Sequence, residues 1–500
     1  MPLMRTCRTP FVLLMTAAFA MMLLAMHFGW MNVDGWNYIA LADNLRAGHG
    51  LCIRPGWGNV YWAVFPAGYP ALLALFTTLI PINTIIASKC INALLLVACA
   101  VMASQLARIP LLLSAMLFLT QPWLEIASNS WSENLFIAAL LLSFLALFRY
   151  LESGRIGWLY SYGAALLVLV SSRYIGGFYL TGYLVVIVLS RRGSGRLRPV
   201  MALMATMAAG AFFAGYLAYN IHMTGYPTGI RRTPASEPFA VLLEAFLLQA
   251  LVSSALLLLS PLLLLVSKKD SAMSADPAWS GFTRRNARCL MIAGGWYLLL
   301  LFMLRMHSHF ELFGNRMVLP GLVLIALGVL GRAYALLEHK PALNHARNYI
   351  VFMVLAVANM ALLYKPMLAD SARMQQEGLG KSMARYAMLY GSLPEGTALI
   401  VPAYLLSGWQ IDSPAFTSDR IFVVQIQDYQ FKLDGYREFL HELRYHGGAP
   451  KYIFDFNEFA AIEELEKELA ERGADPALAQ WIKAHFAPNQ FVECYDCRTH

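Results

Sequence analysis

A few acids and arginines stand between long apolar runs, and they are the residues with the means to do chemistry. Asp34 opens the stretch DGWNYIALADNLR, in which Tyr38, Leu41 and Leu45 follow at helical spacing and Gly48 and Gly50 mark the helix end. Glu133 stands in NSWSENLFIAALLL at the mouth of an apolar run, with Glu125 in the same loop. A carboxylate so placed can take a proton from an acceptor hydroxyl or ligate a divalent metal. Each also has a plain structural use: Asp34 as N-cap of a helix beginning at Gly35, Glu133 as an acid favoured by the dipole of a first helical turn.

The arginines pose a matching question. Arg173-Tyr174 in SSRYIGGFYL and Arg316 in HSHFELFGNRMVLP each begin an apolar run, Arg54 lies in the first long polar interval, and Arg231-Arg232 follow GYPTG. A guanidinium at the edge of a span can snorkel to the interface, or its planar fork can clamp a phosphate. His307, His309 and Glu311 alternate just before Arg316. That is a weak metal pattern, better read as loop residues that titrate or hydrogen-bond.

The elements that must position these groups are membrane spans. The chain has 500 residues, 58% hydrophobic and 14% charged, against about 25% charged in a soluble protein. A polytopic α-helical membrane protein follows, and the formal charge of +8 is then a topology signal and not the mark of a nucleic-acid partner. Apolar runs near the length of a span, roughly 20 residues, fall at 10–30, 85–107, 110–122, 133–150, 157–171, 173–190, 200–220, 240–266, 289–305, 317–336 and 349–365. About eleven transmembrane helices are therefore expected. The first is read as a retained helix and not a cleaved signal.

With the N-terminus inside, every basic cluster from Arg5 and Arg8 to the 332–347 segment falls on the cytoplasmic side. That parity requires Pro66–Ile80 to be interfacial or re-entrant on the outer side. The outer face then collects residues 31–84, 123–132, 221–239 and 306–316 and the C-terminal region. Arg231 and Arg232 break the charge rule there, which marks them as candidates for an anion. From about 366 onward charge density rises, and ALIVPAY, RIFVVQI and KYIFDF alternate with helical YREFLHELRYH and FAAIEELEKELAERG. The expected division is a membrane domain over 1–365 and a soluble extracytoplasmic α/β domain over 366–500.

Phosphate-cradling glycine loops, a G-x-G-x-x-G after a strand, H-E-x-x-H and G-x-S-x-G are all missing from the sequence. Without a nucleotide site, the energy for a group transfer has to arrive in an activated substrate, and in a membrane that points to a lipid-linked donor. Of seven cysteines, Cys494 and Cys497 form a C-x-x-C pair. It suits a structural disulfide or idle thiols better than redox catalysis.

VDGWNYIALADNLRAGHGL (33–51) resembles the acidic first-loop motif of the GT-C superfamily, multispanning glycosyltransferases that use polyprenyl-phosphate sugars. FPAGYPALLAL (65–75) is similar to that family's F-P-P-G-Y-P-type segment, and SENLF, SSRYIG and NRMVLP follow in the family's order. The nearest likeness is to the protein-mannosyltransferase and aminoarabinose-transferase branch. The resemblance implies Asp34 as the catalytic acidic residue of the first outer loop, acting as base, Glu133 as a second acid near the acceptor or a metal, and Arg316 and Arg173 as holders of the donor phosphate. Tyr38, Arg54, Tyr69, Tyr174, Arg231, Arg232 and His309 complete the expected substrate-binding set. Gly35 follows Asp34 where a second acid would make a pair, so a divalent metal, on Asp34 and Glu133 if at all, stays open. Ala67 replaces the family's proline.

The function these residues imply is an inverting transfer of a sugar from a lipid-linked donor to a lipid, glycan or protein acceptor, in a bacterial plasma membrane. The alternatives are a transporter or lipid flippase, for which the lysine within a span, Lys89, is the main indication, and a noncatalytic relative.

Overall fold

The computed structural model describes residues 33–53, 60–190, 197–229, 232, 237–266, 277–308, 313–336 and 350–363, and the strands of the C-terminal region. By their internal contacts these residues form two units. One draws on Phe65–His222 and Tyr226–Met367, the other on Met31–Val64, Met223–Gly225 and Leu368–His500.

The first unit is a helical bundle. In hydrocarbon every backbone N–H and C=O must find its partner within the protein, so apolar runs of this length become helices. They are α2 (Gly68–Leu79), α3 (Thr84–Ala107), α4 (Leu111–Phe118), α5 (Gln121–Ser128), α6 (Glu133–Ser153), α7 (Ile156–Ser172), α8 (Tyr174–Leu189), α9 (Leu197–Thr224), α10 (Phe239–Val266), α11 (Pro277–His307), α12 (Asn315–Leu336) and α13 (Ile350–Leu363), after α1 in the other unit. Among the described residues six of these, α3, α6, α9, α10, α11 and α12, are long and apolar enough to cross a membrane, and α4 with α5 makes a seventh candidate, bent by 64°. The chain is a multi-pass integral membrane protein. Helices α2, α7, α8 and α13 are apolar but shorter. At 12 residues, α2 is about 18 Å long, well short of the roughly 30 Å hydrocarbon core, as an interfacial or re-entrant segment would be. The expected run at 10–30 lies outside the described residues.

Helix α6 is the hub: 89% of its most apolar stretch is buried, and α3 and α7 pack on it. Beside it, four wholly buried tyrosines (Tyr162, Tyr179, Tyr183 and Tyr297) bring aromatic bulk into the core while their hydroxyls need partners. Tyr162 finds Thr206 at 2.8 Å, Tyr179 donates to the Ala293 carbonyl at 3.0 Å and Tyr183 meets Ser143. Helices α11 and α12 approach through Gly294 and Gly321: a Cβ at Gly294 would meet the Gly321 carbonyl oxygen at 2.4 Å. Only glycine permits that closeness, the device by which helices associate where no hydrophobic gradient drives them.

The second unit begins with α1 (Val33–Arg46), which carries Asp34 in its first turn. It packs on a two-stranded antiparallel ribbon, β1 (Cys52–Ile53) with β2 (Val60–Tyr61). Asn44 ties the helix to the ribbon by donating to the Cys52 carbonyl at 2.8 Å. Gly48 and Gly50, at φ 80° and 84°, supply the left-handed turns that end the helix. In the C-terminal region β3 (Thr397–Pro402) pairs in parallel with β4 (Ile421–Ile426) and β5 (Tyr452–Asp455), and β6 (Phe491–Glu493) pairs antiparallel to β5. The strand order is β4-β3-β5-β6. The three sequence-expected strands are all present; β6, three residues long, was not anticipated. The expected helices between them and the Cys494–Cys497 pair lie outside the described residues.

Candidate functional site

Three chain breaks meet at one end of the bundle: the turn into α6, the break between α7 and α8, and the start of α12. Glu133 opens α6, where its charge complements the helix dipole. Arg173 is the single non-helical residue between α7 and α8, with extended backbone at φ −150° and ψ 140°. Arg316 lies in the first turn of α12, the wrong end of a helix dipole for a cation, so it needs an acid from elsewhere.

Glu133 is that acid, and it serves both arginines. Its Oε1 is in direct ion-pair contact with Arg173 Nη1 and lies 3.9 Å from Arg316 Nε. The Glu133 side chain is 2% exposed, whereas Arg173 and Arg316 keep 17% and 13%. The carboxylate is thus more deeply enclosed than the two arginine side chains it pairs with. Trp131 orients one of them, its ring centroid 4.9 Å from the Arg316 guanidinium carbon. The other reaches Met317 Sδ at 3.4 Å through Arg173 Nη2.

A second carboxylate, Glu125 of α5, is held by neutral donors. Its Oε2 accepts from Asn315 Nδ2 at 2.7 Å and from Gln121 Nε2 at 3.2 Å. Asn315 Oδ1 in turn accepts from Ser253 at 2.7 Å and Gln249 at 3.0 Å, both on α10. The adjacent residues Asn315 and Arg316 therefore take one acid each. The turn that carries these acids is pinned from α3, where side chains reach three successive carbonyls. Asn92 donates to those of Ala127 (3.1 Å) and Asn129 (2.6 Å), and Lys89 Nζ donates to that of Ser128 (2.5 Å) and to Ser130 Oγ (3.1 Å). Lys89 is thus held by fixed oxygens of a structural turn, a use that accounts for a lysine buried inside a span.

The Phe65–Pro70 segment packs beside Arg173. A Cβ at Gly68 would lie 2.7 Å from the Ser171 carbonyl oxygen, so the close approach depends on glycine. Ala67 N–H donates to Tyr216 Oη at 3.2 Å, a bond that a proline at that place could not make. The Tyr216 ring stacks on Tyr174, and the Tyr174 hydroxyl accepts from Asn220 at 3.0 Å. Tyr69 is buried and donates to Asn92 Oδ1 at 3.1 Å; Tyr69 thereby braces the same pinned turn.

No family model matches the chain, and no curated protein does. Among solved structures, ArnT from Cupriavidus metallidurans bound to undecaprenyl phosphate superposes with a TM-score of 0.52 at 14% identity, over 92% of this chain and 94% of that one. The fold is the GT-C fold. Two further GT-C structures match over long stretches with lower scores. The arabinofuranosyltransferase AftD from Mycobacteria gives a TM-score of 0.45 at 14% identity over 89% of this chain and 35% of that one. The oligosaccharyltransferase of Archaeoglobus fulgidus gives 0.44 at 13% identity over 94% and 72%.

Of the residues singled out in the sequence, the bundle gathers Glu133, Arg173 and Arg316 at one point, with Tyr174 and Tyr69 close by in sequence and packing. Asp34 and Tyr38 belong to the other unit, where Tyr38 is buried and Asp34 half-buried within the first turn of α1. Arg232 is exposed and donates from Nε to Thr228 Oγ1 at 3.3 Å. Arg54, Arg231 and His309 lie outside the described residues. Among those described, no three His, Cys, Asp or Glu side chains gather to hold a metal. Glu133, engaged by two arginines, does not fit a ligand set there. Sequence reasoning passed over Trp131, Asn315 and the turn-pinning role of Lys89 and Asn92. Asn315 had a signal, its place directly before Arg316.

Proposed function

We propose that the chain is a glycosyltransferase that moves a sugar from a polyprenyl-phosphate donor to the hydroxyl of a lipid, glycan or protein acceptor. The observation that carries this reading is the Glu133–Arg173–Arg316 cluster at one end of a GT-C-fold bundle. Two guanidiniums gathered at one carboxylate suit the oxygens of one phosphate, which planar forks can grip at several points. The undecaprenyl phosphate bound by the solved ArnT supports a donor of that class. The reaction face is the outer side of a bacterial plasma membrane, with the N-terminus cytoplasmic and residues 366–500 extracytoplasmic.

In this reading Asp34 takes the proton of the acceptor hydroxyl as its oxygen attacks the anomeric carbon from the face opposite the phosphate. The glycosidic C–O bond forms while the anomeric C–O bond to phosphate breaks, and the configuration inverts. Polyprenyl phosphate leaves with the bonding pair, carrying one more negative charge than it had as a diester. Arg173 and Arg316 are fixed cations at that developing charge. A phosphate is a stable leaving anion, so strong general-acid catalysis is unnecessary.

The test is incubation of membranes containing the protein with labelled polyprenyl-phosphate sugars, followed by identification of the labelled product. Asp34→Asn is expected to lower transfer by at least about 10²-fold with expression and melting unchanged. Wild-type turnover in that variant removes Asp34 from catalysis. Uptake of a labelled solute into sealed vesicles, with no glycosylated product, would establish the transport reading instead.

A further inference from the structure

We infer that Glu133 is a positioning residue: a buried counter-ion that holds Arg173 and Arg316 side by side as one anion site, without itself exchanging a proton or touching substrate. The inference rests on the phosphate-donor reading above and gives Glu133 a different role from the second catalytic acid that family resemblance implies.

The geometry points this way on three counts. The carboxylate is sealed, 2% exposed, while the side chains of the two arginines keep 17% and 13%. An acid meant to reach an acceptor or a metal would need an open edge of its own. Both arginines also address the same oxygen, Oε1, while Oε2 lies 3.5 Å from Ser132 Oγ. Finally, two guanidiniums brought together repel, and an anion between them converts repulsion into a preorganised pair. Trp131 against Arg316 and Met317 beside Arg173 then hold the two guanidiniums in place.

The two roles predict opposite signs for one measurement. Taking away a negative charge beside an anion site should tighten anion binding if the charge merely sits there. It should loosen binding if that charge is what holds the cations in place. The experiment measures binding of undecaprenyl phosphate to the purified full-length protein in nanodiscs, with inorganic phosphate as a second probe and thermal melting alongside. Glu133→Gln is expected to weaken undecaprenyl phosphate binding about tenfold. Arg173→Gln should weaken it by a similar factor, and the loss in the double variant should fall short of the product of the two single losses, because the glutamate acts in part through Arg173 and in part through Arg316. Glu133→Asp, which keeps the charge, should recover part of the loss. If Glu133→Gln does not fold, the Glu133→Asp and Arg173→Gln arms still decide: binding by Glu133→Asp as poor as by Arg173→Gln would count against the strut. Inorganic phosphate that competes, and shows the same order of variants, assigns recognition to the phosphate and not to the lipid tail.

Unchanged or tighter binding by Glu133→Gln, with wild-type binding intact, overturns the positioning role and leaves the donor reading standing. A wild-type protein that ignores undecaprenyl phosphate overturns both.

Discussion

Helix α6 and the helices α9 and α10 are all apolar enough to cross a membrane, yet their surroundings are opposite. The most apolar stretch of α6 is 89% buried within the protein, whereas those of α9 and α10 are 22% and 17% buried. Along α6 the side chains of Phe136, Leu140, Phe144 and Leu147 are wholly enclosed. Along α9 and α10 residues such as Met204, Met207, Leu248 and Leu251 are more than half exposed. The contrast teaches that apolarity identifies a span without ranking it. Lipid tails are as apolar as leucine, so a central and a peripheral helix read alike. What separates them is shape and polarity at contact points: glycines where backbones touch, and buried Ser, Asn, Lys and Glu where turns are pinned. The site follows the same division, since Glu133 begins the most enclosed of the six long apolar helices among the described residues.

The sharpest way to break the contrast is at a backbone contact. Gly294→Leu places a side chain where even a Cβ would stand 2.4 Å from a carbonyl oxygen. Overpacking of that kind costs about 3 kcal/mol or more, so the expected result is loss of folded protein, seen as aggregation in size-exclusion chromatography. A monodisperse, active Gly294→Leu protein would mean that α11 and α12 do not meet as described. The next effect in size is Leu140→Ala in the hub, wholly buried, expected to destabilise by about 2–5 kcal/mol through the cavity it leaves. Its matched partner is Leu251→Ala, at a position 68% exposed. There the expected change is within about 0.5 kcal/mol, with transfer activity retained. Thermal melting of the purified variants measures both, and equal shifts would erase the distinction between hub and rim.

Much of the fold was legible in the sequence, because helix formation in hydrocarbon is decided locally. Runs expected at 85–107, 133–150 and 240–266 correspond to α3, α6 and α10 within a few residues. The helix spacing of Tyr38 and Leu41 and the glycines at 48 and 50 foretold α1 and its end. The bend between α4 and α5 was not foretold: the apolar stretch expected at 110–122 yields the short α4, and a second short helix, α5, runs on through most of the expected loop and carries Glu125. At the site, Glu133, Arg173 and Arg316 each stood out as a charge bordering a span. Their union did not, since nothing along the chain says that one carboxylate oxygen is shared by both arginines. Lys89 was misleading in the opposite direction. A lysine within a span suggests an ion pathway, and only the positions of Ser128 and Ser130 show it pinning a turn.

By itself the sequence determined the membrane class, the placement of most helices, the strands of the C-terminal region and the short set of residues worth testing. These depend on composition and on neighbours a few positions apart, where hydrocarbon enforces internal backbone bonding. The tertiary structure alone decided which helix is central, which acids meet which cations, and why Ala67, Gly68 and Gly294 are small. Those outcomes depend on distances between residues far apart in the chain. Hydrogen bonds and close ion pairs form only between groups brought within a few ångströms, and no local pattern says which distant groups the packing will bring together.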